Sequence, residues 1–166
     1  MTMYRHPASD STDCIRGKTG FTRNVHVWEI GWKKPQRGTH TIVGVATSSA
    51  PLHARGYKAL VGNSSESWGW DVVKNKLYHK SIHTGSYPKI NGSPSIFIVP
   101  DKFFVILDMD KGTLSFMANG IYFGVAFDGL RGKTLYPIVN TVWGHCEVTM
   151  KYIGSSKSDI FIELKM

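Results

Sequence analysis

A chain of 166 residues, 42% hydrophobic and 19% charged, fits one domain that buries its core without disulfides or a structural metal. Its two cysteines are too few for a disulfide scaffold, and no apolar run reaches transmembrane length. The formal charge of +8 raises nucleic acid as a partner, but the one dense basic run, Lys33-Lys34-Pro35-Gln36-Arg37, sits between two strand patterns, where a solvated loop belongs.

Residues 1–22 are irregular and polar and read as an arm. Residues 26–32 (HVWEIGW) then alternate, with Trp28, Ile30 and Trp32 on one face. Residues 41–47 (TIVGVAT) form a short β-branched strand, with Gly44 where a backbone or a large ring packs closely. From 53 to 67 the chain reads as an ordered loop exposing Tyr57 and Leu60 beside Gly56 and Gly62. Residues 67–73 (SWGWDVV) put Trp68, Trp70 and Val72 on one side, Lys74-Asn75 turns, and 76–79 pairs back. A long surface excursion covers 80–95, and a brief strand covers 96–99.

The organising stretch is 103–127, FFVILDMDKGTLSFMANGIYFGVAF. Three runs of period two are separated by Lys111-Gly112 and Asn119-Gly120, so it reads as an antiparallel meander. Strands at 134–142 and 146–152 follow, flanking Trp143-Gly144-His145, an unusual composition for a turn. Residues 160–166 fit a frayed strand or the stub of a helix. Many short strands with little helical period predict an all-β sandwich of two antiparallel sheets, whose end loops carry the function.

Chemistry is sparse. The seven histidines show no helical metal spacing, and His145 and Cys146, adjacent in a strand, point to opposite faces. Asp108 and Asp110 are either an acid pair or, in the stronger reading, the turn-stabilising side of a hairpin. No nucleophile elbow, phosphate loop or dinucleotide pattern is present, so neither an enzyme nor a cofactor is expected. Cys14 and Cys146 read as reduced thiols of a cytosolic protein, with a pairing between them as the alternative. A binding module remains. Its anchors would be Tyr57, Leu60, Val142 and Trp143 with Arg5 as charged partner, unless Tyr57 and Trp143 only plug the ends of the sandwich.

The runs WGWD, LDMDKGTLSF, GVAF, LYP and VWGHCE, in this order, closely resemble the SPRY domain of the SPRY-and-SOCS-box adaptors, the Gustavus-like family. The resemblance covers Arg5 to Ile153. It implies a bent β-sandwich of the SPRY/B30.2 type, shortened at its N-terminus, with an arm at 1–22, the domain at 23–153 and a tail at 154–166 without room for a SOCS box. It implies a pocket for peptides of the type (Asp/Glu)-(Ile/Leu)-Asn-Asn-Asn, formed by Arg5, Pro7, Ser9, Gly38, Thr39, Tyr57, Leu60, Val142, Trp143 and Gly144. Ser9 stands where the family has alanine. The absence of the family's first strands would leave a sheet edge or inner face uncovered.

By the same resemblance the partners are target proteins such as the Vasa helicase or inducible nitric oxide synthase, bound by a cytoplasmic monomer without membrane contact. Elongins B and C and a cullin scaffold join only if a longer form carries a SOCS box. A receptor cut short, a decoy that binds without delivering to ubiquitination, and an inactive fragment are the three readings of the missing box. The rival from another class is a basic nucleic-acid-binding β domain, which predicts affinity falling steeply with salt.

Overall fold

Side chains that alternate between two environments divide the chain into strands, and the partners they find build two sheets. The computed structural model describes residues 1–4, 11–57, 59–89, 96–142 and 146–157. Its strands are β1 (Thr2–Tyr4), β2 (Ser11–Arg16), β3 (Val25–Gly31), β4 (Ile42–Ala46), β5 (His53–Arg55), β6 (Ser67–Asp71), β7 (Lys76–His79), β8 (Ile82–Ser86), β9 (Lys102–Asp108), β10 (Thr113–Ala118), β11 (Ile121–Phe127), β12 (Tyr136–Thr141) and β13 (Glu147–Ser156). A single 3-10 turn, Lys34–Gln36, is the helical element among the described residues. No helix among them is long and apolar enough to cross a membrane.

Sheet I has the order β1-β13-β3-β9-β10-β11 and sheet II the order β5-β2-β12-β4-β6-β7-β8, with antiparallel ladders throughout. Trp28, Ile30, Phe103, Val105, Leu107 and Phe116 of sheet I face Val43, Val45, Trp68, Trp70 and Val139 of sheet II in one buried core. The opposite face of sheet I carries a smaller cluster of Val25, Val27 and Ile106. Sheet II is covered on its outer face too, by Leu60 and Val61 packed on Cys14, Ile42, Ala46 and Ile138. This two-sided burial explains why every residue of β4 and β6 is buried.

Trp70 is the centre of the core. Its ring lies 4.7 Å from that of Phe116, 5.3 Å from Tyr87 and 5.8 Å from Phe103. Its indole N–H donates to the Tyr87 carbonyl at 3.0 Å, and the Tyr87 hydroxyl donates to the Gly124 carbonyl at 2.8 Å. The side-chain ring and the backbone of one excursion are thereby fixed together.

The meander is as expected. Asn119 and Gly120 both adopt positive φ, 52° and 74°, the geometry that a two-residue hairpin needs. Asp108 Oδ1 accepts the Lys111 amide at 2.9 Å and Asp110 Oδ1 accepts that of Asn24 at 2.9 Å, so both carboxylates brace turns. At Gly44 an added Cβ would run into the Trp68 carbonyl, which makes glycine obligatory where β4 passes β6.

Four differences from the sequence reading have a common cause. Residues 1–22 are not irregular throughout but contain β1 and β2, β5 lies inside the loop after 53, and β8 lies inside the excursion after 80. These strands are short or polar, and their partners rather than their own periodicity order them. Conversely, Ile96 to Val99 forms no strand; Ile96 and Ile98 are exposed. β13 runs on to Ser156, with a bulge between Tyr152 and Gly154. The expected 160–166 element lies outside the described residues.

Candidate functional site

One rim of the sandwich collects the loops. Ser11 lies opposite Arg55, Thr141 opposite Asp13 and Asn140 opposite Ile42, so β2 and β4 begin where β5 and β12 end. β1 reaches the same rim from sheet I. Its last residue, Tyr4, pairs with Glu147, whose amide donates to Gln36 Oε1 at 2.9 Å. The connections 37–41, 56–60 and 142–146 therefore leave from one place, together with the segment that joins Tyr4 to Ser11.

Asn140 ties three of these pieces together. Its side chain is fully buried on the outer parity of β12, next to Ile138. The carboxamide donates to the His40 carbonyl at 2.8 Å and accepts the Val61 amide at 3.2 Å, with the Cys14 thiol 3.6 Å from the same oxygen. One side chain thus fixes the 37–41 loop, the loop carrying Tyr57 and the strand that follows the arm. Around it, Thr12 Oγ1 donates to the Gly56 carbonyl at 2.7 Å and Thr41 Oγ1 to the Gly38 carbonyl at 3.0 Å. Thr141 Oγ1 and Cys146 Sγ, 3.1 Å apart, bridge the passage from β12 to β13.

The basic run is only partly a solvated loop. Arg37 is half-buried, and its guanidinium donates to the carbonyls of Trp32 at 2.7 Å, Val99 at 2.6 Å and Pro100 at 2.7 Å. Burial lowers its pKa and Asp101 opposes the shift. With three carbonyls to satisfy, Arg37 anchors the loop that presents Gly38 and Thr39. Sequence reasoning assigned it no such role, since charge in a loop looks the same whether it meets water or carbonyls.

Of the expected site residues, Gly38, Thr39, Tyr57, Leu60 and Val142 lie on this rim, and Arg5, Pro7, Ser9, Trp143 and Gly144 lie outside the described residues. Tyr57 is 50% exposed and Thr39 is exposed. Leu60 and Val142 correct the reading of exposed anchors: they are 5% and 7% exposed, Leu60 because it packs into the cluster on the outer face of sheet II. Both act as wall rather than as surface. The strongest positioning residue, Asn140, had a signal in the sequence: it shares the parity of Ile138 in a strand, where a polar residue needs a buried partner.

Burial shifts two titratable groups near the rim toward their neutral forms. Burial and the nearby Lys74 lower the pKa of His40. Burial, with Asp13 adding to it, pushes the Cys14 thiol up to about 12. Cys14 and Cys146 are both buried and neither is part of a disulfide. Cys14 is therefore expected to resist iodoacetamide at pH 8 in the folded protein and to react once urea unfolds it, as mass spectrometry would record. Its contribution to stability is full below the unfolded thiol's ordinary value near 9.0 and is lost as pH rises toward 12, because the unfolded state ionises first. Among the described residues no group of three or more His, Cys, Asp or Glu is placed to hold a metal.

A two-sheet antiparallel scaffold with a braced rim of loops, at which Tyr4 and Tyr57 are exposed among the described residues, has the form of a protein–protein interaction module. The SPRY domain profile matches residues 25–153, and the chain belongs to the SPRY domain family. Protein gustavus of Drosophila melanogaster is 59% identical over 156 residues, which are 93% of this chain and 56% of that protein. Human SPRY domain-containing SOCS box protein 1 is 57% identical over 156 residues, again 93% of this chain and 57% of that protein. The chain thus spans a little over half the length of these relatives. Among solved structures, the SPRY domain of human HERC1 matches with a TM-score of 0.65 at 23% identity, over 88% of this chain and 86% of that one. The TRIM65 PSpry domain matches with a TM-score of 0.60 at 18% identity, over 85% of this chain and 68% of that one. These two likenesses establish the fold.

Proposed function

We propose that this SPRY domain is a non-enzymatic receptor for short extended peptides of the type (Asp/Glu)-(Ile/Leu)-Asn-Asn-Asn, bound at the rim of sheet II. The observation that carries the reading is the buried Asn140 carboxamide, which holds two loops of the rim in fixed relation before any ligand arrives. A preformed rim lowers the ordering cost that a short peptide must otherwise overcome. Tyr57 supplies an exposed aromatic contact backed by Leu60, and Gly38 and Thr39 offer backbone groups and a hydroxyl. Arg5 pairs with the acidic side chain of the peptide, Pro7 and Ser9 flank it, and backbone groups from Val142 to Gly144 meet the asparagine amides. Each buried amide left unmet costs about 1–3 kcal/mol, which makes an asparagine-rich motif selective.

In a longer form with a SOCS box, the same module would deliver its targets to elongins B and C and a cullin ligase in the cytoplasm, and the domain alone would act as a decoy. Arg37 weighs against the nucleic-acid alternative, since the most constrained cation of the basic run is already hydrogen-bonded to protein carbonyls. Calorimetric titration with an Asp-Ile-Asn-Asn-Asn peptide tests the reading. Tyr57→Ala is expected to cost about 2 kcal/mol of binding, roughly 30-fold in Kd, with only modest dependence on salt. Absence of binding to the unaltered chain, or equal affinity in the variant, would overturn it.

A further inference from the structure

The rim continues past the 37–41 loop. Asn140 of β12 pairs with Ile42 of β4, and Ile42 with Asp71 of β6, so the turn after β6 begins two strands away from Asn140, about 10 Å at ordinary strand spacing. The Val72 amide donates to the Thr41 carbonyl at 3.0 Å, which ties that turn to the 37–41 loop. A groove of about 230 Å³ opens here, walled by Lys34, Arg37, Val72, Val73 and residues 96–99.

Its walls are braced and its surface is apolar. The buried Asn75 accepts the Phe97 amide on Oδ1 at 2.7 Å, and Arg37 donates to the Val99 and Pro100 carbonyls, so residues 97–100 are held from both sides of the groove. Phe97 and Val99 pack on the core, whereas Ile96 and Ile98 are each 72% exposed, the highest values for large apolar side chains among the described residues. Val73 across the groove is 42% exposed. Aliphatic side chains gathered at one braced groove, rather than scattered singly, mark a contact surface for another chain. The charge around it is mainly positive: Lys33, Lys34 and Lys74 are exposed and Arg37 stands in the wall, against Asp101, 3.6 Å from Lys34, and Glu147 beside Gln36.

We propose that this groove is a second contact for the bound target, taking one apolar side chain with acidic neighbours that lies about three residues outside the five-residue motif. The inference rests on the rim being the peptide site. Reach, size and charge select this occupant. An extended chain rises about 3.4 Å per residue, so about three residues cover the distance from β12 to the turn after β6. The groove takes a single aliphatic side chain but is too small for a helix, which is about 10 Å across. The surrounding cations favour an acidic residue next to the apolar one and disfavour a basic one. A second copy of the chain is the alternative occupant.

Calorimetric titration of the whole chain compares Asp-Ile-Asn-Asn-Asn with two longer peptides. One carries Ser-Gly-Ser and then Glu-Leu-Glu after the motif, and the other carries Glu-Leu-Glu and then Ser-Gly-Ser before it. At least one is expected to bind about tenfold more tightly than the motif alone, and serine in place of its leucine should remove most of that gain. The double variant Ile96→Ser, Ile98→Ser should abolish the gain and leave the affinity for the motif alone unchanged; both side chains are exposed, so the fold tolerates the change. Equal affinity of the unaltered chain for all three peptides, or a gain that survives in the double variant, would overturn the proposal with the rim reading intact. No binding of the motif itself would overturn the rim reading and the role of the groove with it. Self-association of the free chain in sedimentation, abolished by the double variant, would also overturn the proposal and assign the groove to a second copy.

Discussion

Replacing Asn140 with alanine is expected to destabilise the protein by about 2–4 kcal/mol and to weaken peptide binding with it. The substitution leaves the Val61 amide and the His40 carbonyl without the partners that meet them at 3.2 Å and 2.8 Å. A buried polar group stripped of its partner costs about 1–3 kcal/mol, and the His40 carbonyl, nearer the surface, recovers part of that from water. Urea denaturation measures the first effect and calorimetry the second. Asn140→Asp is the informative companion: it keeps the acceptor for Val61 but removes the donor to His40 and buries a carboxylate, so it should be at least as damaging. A loss below about 0.5 kcal/mol for the alanine variant would show that the loops are held by other contacts.

Trp70→Ala is the variant expected to threaten folding itself, at about 3–5 kcal/mol. The indole is fully buried between the sheets and touches aromatic rings from sheet I and from the excursion after β8. Its loss leaves a cavity lined by rings that cannot collapse without moving strands, and frees the Tyr87 carbonyl. Trp70→Phe preserves most of the packing and removes the N–H donor, so about 1–2 kcal/mol is expected for it. Thermal unfolding followed by near-ultraviolet circular dichroism separates the two, and equal losses would mean that the hydrogen bond rather than the ring volume fixes the excursion.

How much of this was legible in the sequence depends on whether a residue's environment is set locally. The meander of β9, β10 and β11 was legible because alternation and an Asn-Gly turn are written within one stretch. So was the indole face of β6, and Gly44 carried its close approach in a run of β-branched neighbours. β1, β2 and β5 were not legible, since a strand of three residues, or a polar one such as STDCIR, owes its order to a partner far away in the sequence; β8 pairs with its chain neighbour β7, but its sequence IHTGS carries no clean alternation. At the site, Tyr57 stood out as an aromatic residue among glycines. Leu60 looked equally exposed, because the sequence does not tell that it packs into the cluster on the outer face of sheet II. Gly38 and Thr39 entered only through the family resemblance, and Arg37 looked like any surface cation until its three carbonyl partners were known.

The strand order also governs how the chain comes off the ribosome. β3, synthesised early, sits between β9 and β13, and β4 sits between β6 and β12. Neither sheet closes until the last two strands have emerged. Before then, β2 lacks its inner neighbour and β3 shows a bare ladder, while the hairpins of β6 to β8 and of β9 to β11 are already able to form. A nascent chain stalled before residue 136 therefore exposes two central strands at once, the state in which aggregation and chaperone capture compete with folding.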